Sequence, residues 1–189
     1  KICHFNKMEC DFGYRRSILK EAEKGKWFVL NVTYRLLKTP ELHLDYGPLL
    51  KAFENMPAEE ITVKAVSEAV KSIRRSKLPD PEELGNAGSF FKNPVILHEK
   101  FLRIQQRFPQ IPFYTSENGN VKIPAGWLIE QAGWKGKQVG NTGVHHQQAL
   151  VIVNYGKATG KEILQLSKDI QNDVLQKFDI TLDPEVLIL

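Results

Sequence analysis

The sequence predicts an α+β protein, in which a β-rich piece comes first and alternating helices and strands follow. Residues 27–37, WFVLNVTYRLL, are rich in β-branched and aromatic side chains that partly alternate, which is typical of a strand. Residues 159–178 carry apolar side chains at helical spacing after a capping-box start, TGKE, which predicts an amphipathic helix. Glycine-rich loops separate the helices and strands of the second half, as in α/β and α+β units.

The composition is that of an ordinary soluble globular protein with one large domain or two small ones. The chain has 189 residues, of which 42% are hydrophobic and 25% are charged. Its formal net charge of +4 is diffuse, so it favours anionic ligands such as diphosphates but does not indicate nucleic acid. No apolar run reaches the length of about eighteen residues that a membrane span needs, so none is expected.

The cysteines and the first residue give two further expectations. Cys3 and Cys10 are the only cysteines, and two free thiols in a reducing compartment are favoured over a disulfide across so short a loop. No metal site is expected, since no suitably spaced cysteine or histidine cluster accompanies them. The chain starts at Lys1 without a signal peptide, which suggests that it was cut from a longer protein.

Residues 62–77 are expected to form a helix in the first half, because apolar residues recur close to helical spacing behind Thr62, a plausible N-cap. Cations complement the dipole at a helix C-terminus, and four lie in the last turns: Lys71, Arg74, Arg75 and Lys77.

The second half is expected to contain helices at residues 98–108 and 124–131, the latter with proline in its first turn. Asn118-Gly119 is a hairpin turn signal between two short strands. A winding loop with four glycines leads to an apolar strand at residues 147–153, and a closing strand is expected at residues 180–189.

The stretch KLPDPEELGNAGSFFKN, residues 77–93, organises the chain. Its prolines stop the preceding helix, and Gly85 and Gly88 permit backbone conformations that other residues avoid. Ser89 is then expected on a tight turn that enters a buried strand at Phe90-Phe91, where a ligand can approach the backbone. On spacing alone, an ordinary glycine-rich loop with a surface serine is the favoured interpretation, because glycine clusters are weak signals.

Six strings, in order along the chain, resemble the UDP-N-acetylenolpyruvoylglucosamine reductases, the flavoenzymes of bacterial cell-wall synthesis. They are YRRS, LDYGPL, GNAGSFFKNP, AGWLIEQAGWKG, VHHQQAL and DPEV. The resemblance implies a bacterial cytoplasmic enzyme in which NADPH reduces bound FAD. The reduced flavin passes hydride to UDP-N-acetylglucosamine enolpyruvate, and a serine hydroxyl donates the proton that completes UDP-N-acetylmuramate.

The resemblance also implies roles for individual residues. Ser89 matches the proton-donating serine, Glu185 the glutamate that assists it, and Arg15 the arginine that stabilises the intermediate, with Tyr14 and Arg15 beside the flavin. The implied substrate ligands are Tyr46, Arg74, Lys77, Asn93, Tyr114, Lys122 and Gln148. On residue type alone, the helix dipole equally explains Arg74 and Lys77. A tyrosine in a loop, such as Tyr46, is usually incidental.

The chain departs from the family at two places. A smaller departure is Leu187, which stands where many members carry a basic residue, and the one that bears on domain organisation is that no glycine-rich FAD-binding segment precedes Tyr14. We therefore expect residues 1–75 to be an incomplete flavin-binding piece, 76–180 the substrate domain, and 181–189 a strand returning toward a missing N-terminal segment of the same protein. The isolated chain is not expected to retain FAD, which leaves a catalytically inactive nucleotide-sugar-binding domain as the alternative function.

Two other function classes fit less well. A serine hydrolase needs a base near the serine, and His145-His146 lies near no G-x-S-x-G elbow. An RNA-binding module is disfavoured because the chain lacks aromatic motifs of the RNP type.

Overall fold

The computed structural model describes residues 1–13, 16–45, 47–116 and 119–188. The chain divides into two compact units, Lys1–Leu42 and His43–Leu189. Within the described residues, every α-helix and β-strand lies in the second unit. The predicted α+β class is confirmed, since that unit combines α-helices with antiparallel sheets.

The prediction of a strand at residues 27–37, in the first unit, is wrong. These residues form no strand pairing within the described part of the chain. Several of their apolar side chains are exposed, including Phe28 at 96% and Leu36 at 82%. β-Branched and aromatic composition favours a half-buried pleated surface, but a strand also needs a hydrogen-bonded neighbour. The described part of this unit supplies none, and its regular structure is limited to a short 3₁₀ turn, Ile18–Lys20.

Five α-helices occur in the described part of the second unit: α1 Gly47–Phe53, α2 Val63–Lys77, α3 His98–Arg107, α4 Ala125–Gln131 and α5 Gly160–Phe178. The helices predicted from periodicity are therefore confirmed, to within about two residues at each end. Helix α2 begins at the predicted cap, where the Thr62 hydroxyl accepts from the Ala65 amide at 3.2 Å. Helix α5 begins with a full capping box between Thr159 and Glu162.

The strands form two antiparallel sheets. The strands of the first sheet are β1 Gly85–Ser89, β5 Gln138–Val139, β6 Thr142–Val144 and β7 Val151–Asn154. Those of the second are β2 Val95–Ile96, β3 Tyr114–Thr115 and β4 Val121–Lys122. The first sheet has the order β1-β7-β6-β5 and the second has the order β2-β4-β3. Strands β3 and β4 pair as the predicted hairpin, although Asn118 of its turn lies outside the described residues.

Three further predictions about strands need correction. The segment GNAGS is itself strand β1, held by pairing with β7, rather than a turn that enters a strand. The winding glycine-rich loop contains the β5–β6 hairpin, and the strand predicted at residues 147–153 starts only at Val151. Residues 180–188 form one isolated bridge, between Pro184 and Phe91, because the chain there pairs briefly beyond the end of β1.

One hydrophobic core lies between the first sheet and the helices packed on it. Helix α5 packs on β6, β7 and α4, and it buries Ile170, Val174 and Phe178. The Phe178 ring lies 4.7 Å from the Phe108 ring and 5.7 Å from the Trp127 ring, measured between centroids. This packing fixes β6 and β7, and with them the loop between these strands that reaches the site described below.

The described residues can be compared with the expectations about cysteines, metal sites and membrane spans. Cys3 and Cys10 are free thiols. No group of three or more cysteine, histidine or acidic side chains that could hold a metal ion is found in the described part of the chain. None of the helices described there is both long enough and apolar enough to cross a bilayer.

Candidate active site

A cavity of about 380 Å³ lies within the second unit, where strand β1 and the β6–β7 loop meet helices α1 and α2. Its lining combines an apolar wall with a few polar and cationic groups, which is the usual make-up of a ligand site. The described lining residues are Leu49, Val70, Ile73, Arg74, Lys77, Leu78, Ser89 and Gln148. Four of them are among the site residues that the resemblance implied: Arg74, Lys77, Ser89 and Gln148.

Ser89 reaches the cavity through a β-bulge. Between the pairs Asn86–Val153 and Ser89–Val151, strand β1 advances three residues while β7 advances two. Gly88 lies within the extra stretch with φ of 72°, a left-handed conformation that suits glycine. The Asn86 side chain supports the bulge, since its oxygen accepts from the Gly88 amide at 3.0 Å and its nitrogen donates to the Leu84 carbonyl at 2.8 Å. A bulge re-aims the side chain that follows it, and here that side chain is Ser89.

The charged groups of the described lining are both cations. Arg74 and Lys77 lie in the last turn of α2, one helical turn apart, so that they share a face of the helix. The helix dipole places partial negative charge at this end, which explains why cations are favourable there without any ligand. With no carboxylate among the described lining residues, the same two cations also make this side of the cavity suitable for an anion.

Gln148 reaches the cavity from the loop between β6 and β7. Its backbone amide donates to Nδ1 of His145 at 3.3 Å, and its carbonyl accepts from the Val151 amide at 3.0 Å. Its side-chain oxygen packs near the start of α4, 3.8 Å from the point that a Cβ on Gly126 would occupy.

His145 is buried, with 5% of its surface exposed, and its ring lies 4.5 Å from the ring of His146. Burial, with a smaller contribution from His146, lowers the pKa of His145 below its ordinary value. The neutral imidazole is therefore favoured, and only an unprotonated Nδ1 can accept the Gln148 amide. Sequence reasoning assigned His145 no role. Its position three residues before Gln148 is compatible with a side chain that closes a turn on a backbone amide, but only the folded loop shows that it does so.

Glu185 is held next to the end of strand β1. Its backbone amide donates to the Phe90 carbonyl at 2.8 Å, and the Lys92 amide donates to the Asp183 carbonyl at 2.9 Å. Glu185 is half-buried, and it is not among the described residues that line the cavity. The backbone therefore places Glu185 beside the residue that follows Ser89.

The other predicted substrate ligands lie on neighbouring elements. The Asn93 side-chain oxygen accepts from the Ala125 amide at 2.9 Å, which satisfies one of the first amides of α4. Tyr114 and Lys122 are paired across β3 and β4, with the Lys122 ammonium 5.7 Å from the centre of the Tyr114 ring. Neither belongs to the described lining of the cavity, and their substrate contacts remain predictions. Tyr14, Arg15 and Tyr46 lie outside the described residues.

The family model and the related proteins that match this chain all carry the same family name. A family model described as UDP-N-acetylenolpyruvoylglucosamine reductase, C-terminal domain, matches residues 80–189. The chain is similar to proteins named UDP-N-acetylenolpyruvoylglucosamine reductase from Flavobacterium johnsoniae, 50% identical over 186 residues, and Pseudomonas putida, 48% identical over 181 residues. These alignments cover 98% and 96% of the chain, but 55% and 53% of the relatives.

A third relative of the same name, from Amoebophilus asiaticus, is 47% identical over 188 residues, which is 100% of the chain and 56% of that protein. The chain thus spans about half the length of the curated relatives it matches. Because the family model covers more than half of the chain and these relatives align with nearly all of it, the chain belongs to the UDP-N-acetylenolpyruvoylglucosamine reductase family.

Proposed function

We propose that this chain supplies the substrate cavity and the proton donor of a reductase that converts UDP-N-acetylglucosamine enolpyruvate to UDP-N-acetylmuramate, with NADPH as reductant and FAD as hydride carrier. The observation that carries the proposal is the convergence of four residues from three elements on one cavity: Arg74 and Lys77 of helix α2, Ser89 of strand β1, and Gln148 of the β6–β7 loop. Their chemistry matches a nucleotide sugar: two cations for the diphosphate, an amide for hydrogen bonding, and a hydroxyl for proton transfer.

Binding of the substrate follows from the charges of the cavity. The Arg74 guanidinium offers a planar fork and the Lys77 ammonium a point charge, and both form charge-assisted hydrogen bonds with phosphate oxygens. The apolar wall contributed by Leu49, Val70 and Ile73 excludes water from one side of the bound ligand. Water exclusion strengthens the contacts of the two cations, because the local dielectric constant falls.

The proton step is assigned to Ser89. FAD, when bound, supplies the hydride for the methylene carbon of the enolpyruvyl group, and the Ser89 hydroxyl gives its proton to the neighbouring carbon. Ser89 is exposed in this structure, so the substrate must itself cover the hydroxyl for a weak acid to act in a dry site. We assign to Glu185, held beside Phe90, the part of assisting group, and to Arg15 that of stabilising the intermediate.

The residues described here fit the substrate side of this reaction. Tyr14 and Arg15, the positions assigned to the flavin, lie outside the described residues.

Titration calorimetry of the chain with UDP-N-acetylglucosamine enolpyruvate tests the proposal. One charge-assisted hydrogen bond is worth roughly 1.5–3 kcal/mol, so Arg74→Ala and Lys77→Ala should each weaken binding by about 10- to 150-fold. Lys71→Ala is the matched control, because Lys71 lies on the same helix but pairs with Glu68 at 2.8 Å. Equal weakening in all three variants, or none in any, would contradict the assignment of the diphosphate to this cavity.

A further inference from the structure

The loop between β6 and β7, residues 145–150, is closed by three hydrogen bonds. The His145 amide donates to the Val151 carbonyl at 2.9 Å, and the Val151 amide donates to the Gln148 carbonyl at 3.0 Å. The third bond runs from the Gln148 amide to Nδ1 of His145 at 3.3 Å. The His145 side chain thus makes the bond that a backbone carbonyl would make in an ordinary turn.

These bonds hold the backbone of Gln148 on both sides, and Gln148 lines the cavity together with Ser89. The side chain packs near helix α4 at Gly126, where a Cβ would meet the Gln148 oxygen at 3.8 Å and the Leu150 Cγ at 3.5 Å. With the backbone fixed and this wall on one side, few rotamers are open to the Gln148 side chain. An ordered amide loses less conformational entropy when it binds a ligand.

His145 is suited to this task because it is buried and accepts at Nδ1. A neutral imidazole that accepts at Nδ1 carries its proton on Nε2, so the hydrogen bond with Gln148 fixes the tautomer. His145 also lies in a buried stretch of the chain, since Val144 before it and Ala149 in the same loop are both buried.

We propose that His145 is a positioning residue, which fixes the amide group of Gln148 in the cavity by accepting the Gln148 backbone amide at Nδ1. His145 thereby raises the affinity of the cavity for the ligand without touching it. The identity of that ligand, a nucleoside diphosphate sugar, rests on the proposed function. The positioning itself rests on the geometry of residues 145–151.

A matched pair of variants separates the hydrogen bond from the shape of the side chain. His145→Asn keeps a hydrogen-bond acceptor bonded to Cγ, the side-chain oxygen. Leucine has nearly the same size and branching as asparagine, but His145→Leu offers no acceptor. Binding of UDP-N-acetylglucosamine enolpyruvate, measured by titration calorimetry, should weaken about 2- to 12-fold in the leucine variant, the value of one neutral hydrogen bond, and should recover in the asparagine variant.

A double-mutant cycle with Gln148→Leu shows whether His145 acts through Gln148. In the Gln148→Leu background, His145→Leu should have no further effect on binding. If His145→Leu weakens binding equally in both backgrounds, or if the asparagine variant binds as poorly as the leucine variant, the positioning role is excluded.

Two measurements without ligand keep this inference separate from the proposed function. Amide hydrogen exchange at Gln148 should be slow in the unaltered chain and in His145→Asn, and at least about tenfold faster in His145→Leu, whose fold is checked by circular dichroism. Nitrogen NMR of the unaltered chain should show an unprotonated Nδ1 on His145. A protonated Nδ1, or equal exchange in all three proteins, would overturn the inference. If instead the exchange pattern holds and no protein binds the nucleotide sugar, the proposed function fails and the anchoring of Gln148 stands.

Discussion

Replacing Gly88 with alanine should strain the bulge that presents Ser89, without any steric clash. An added Cβ at Gly88 meets no atom within 4 Å, so its cost comes only from the backbone, which has φ of 72°. An L-residue in the left-handed region costs roughly 1–2 kcal/mol relative to glycine. Alanine also lowers the conformational entropy of the unfolded chain, which stabilises the folded state by roughly 0.4–1 kcal/mol.

Gly85→Ala is the matched control, because it lies in the same strand and removes the unfolded-state contribution from the comparison. Gly85 has no positive φ, and a Cβ there lies 3.5 Å from the Asn154 Cβ, an ordinary contact. The difference between the two variants therefore isolates the strain, about 1–2 kcal/mol. With a urea m-value of roughly 2 kcal/mol/M, the unfolding midpoint of Gly88→Ala should lie about 0.5–1 M below that of Gly85→Ala.

The assay is urea unfolding followed by circular dichroism, which reports on the second unit because the described helices and strands all lie there. Equal midpoints for the two variants would refute the bulge geometry around Ser89. A larger loss in Gly85→Ala than in Gly88→Ala would refute it as well.

The remaining predictions concern the α5 cap and the buried histidine. Thr159→Ala removes the capping-box acceptor and should lower the free energy of unfolding by about 1 kcal/mol. Thr159→Ser keeps a hydroxyl acceptor and should therefore retain most of this stabilisation. Equal urea midpoints for the two variants would contradict the contribution of the cap. His145 has a folded-state pKa below the ordinary value of 6.5, so the unfolded chain binds more protons between these two values. The contribution of His145 to stability is thus fully present above pH 6.5 and falls as the pH decreases toward its folded pKa. The difference in unfolding midpoint between the unaltered chain and His145→Asn should follow that course, and a difference independent of pH would contradict it.

The helices could be predicted from the sequence because their signals are local. Apolar periodicity and the caps at Thr62 and Thr159 lie within or directly before each helix, and both caps form as expected. Strand β1 could not be predicted in this way, because GNAGS has little intrinsic strand preference. It becomes a strand only through its partner β7, which is remote in sequence. Residues 27–37 show the converse, since strand-like composition without a described partner yields no strand.

The candidate site was partly predictable, for a different reason. The resemblance implied Ser89, Arg74, Lys77 and Gln148, of which only Ser89 and Gln148 lie within the six strings, and these four residues line one cavity. The role of His145 could not be predicted, because it depends on burial and on the direction of one backbone amide, which only the folded loop defines.

The most direct test of the central claim is Ser89→Ala in a protein of the relatives' full length, in which this chain replaces the matching residues of the Flavobacterium johnsoniae relative. Stopped-flow flavin absorbance measures reduction by NADPH and reoxidation by the enolpyruvyl substrate separately, with Ser76→Ala, on the exposed face of α2, as control. A proton donor acts only in the second step, so reduction should stay within about twofold of the unsubstituted protein. Reoxidation should slow by about 10²- to 10⁴-fold, the usual contribution of a general acid. Equal slowing of both steps would contradict the assignment of Ser89 as proton donor.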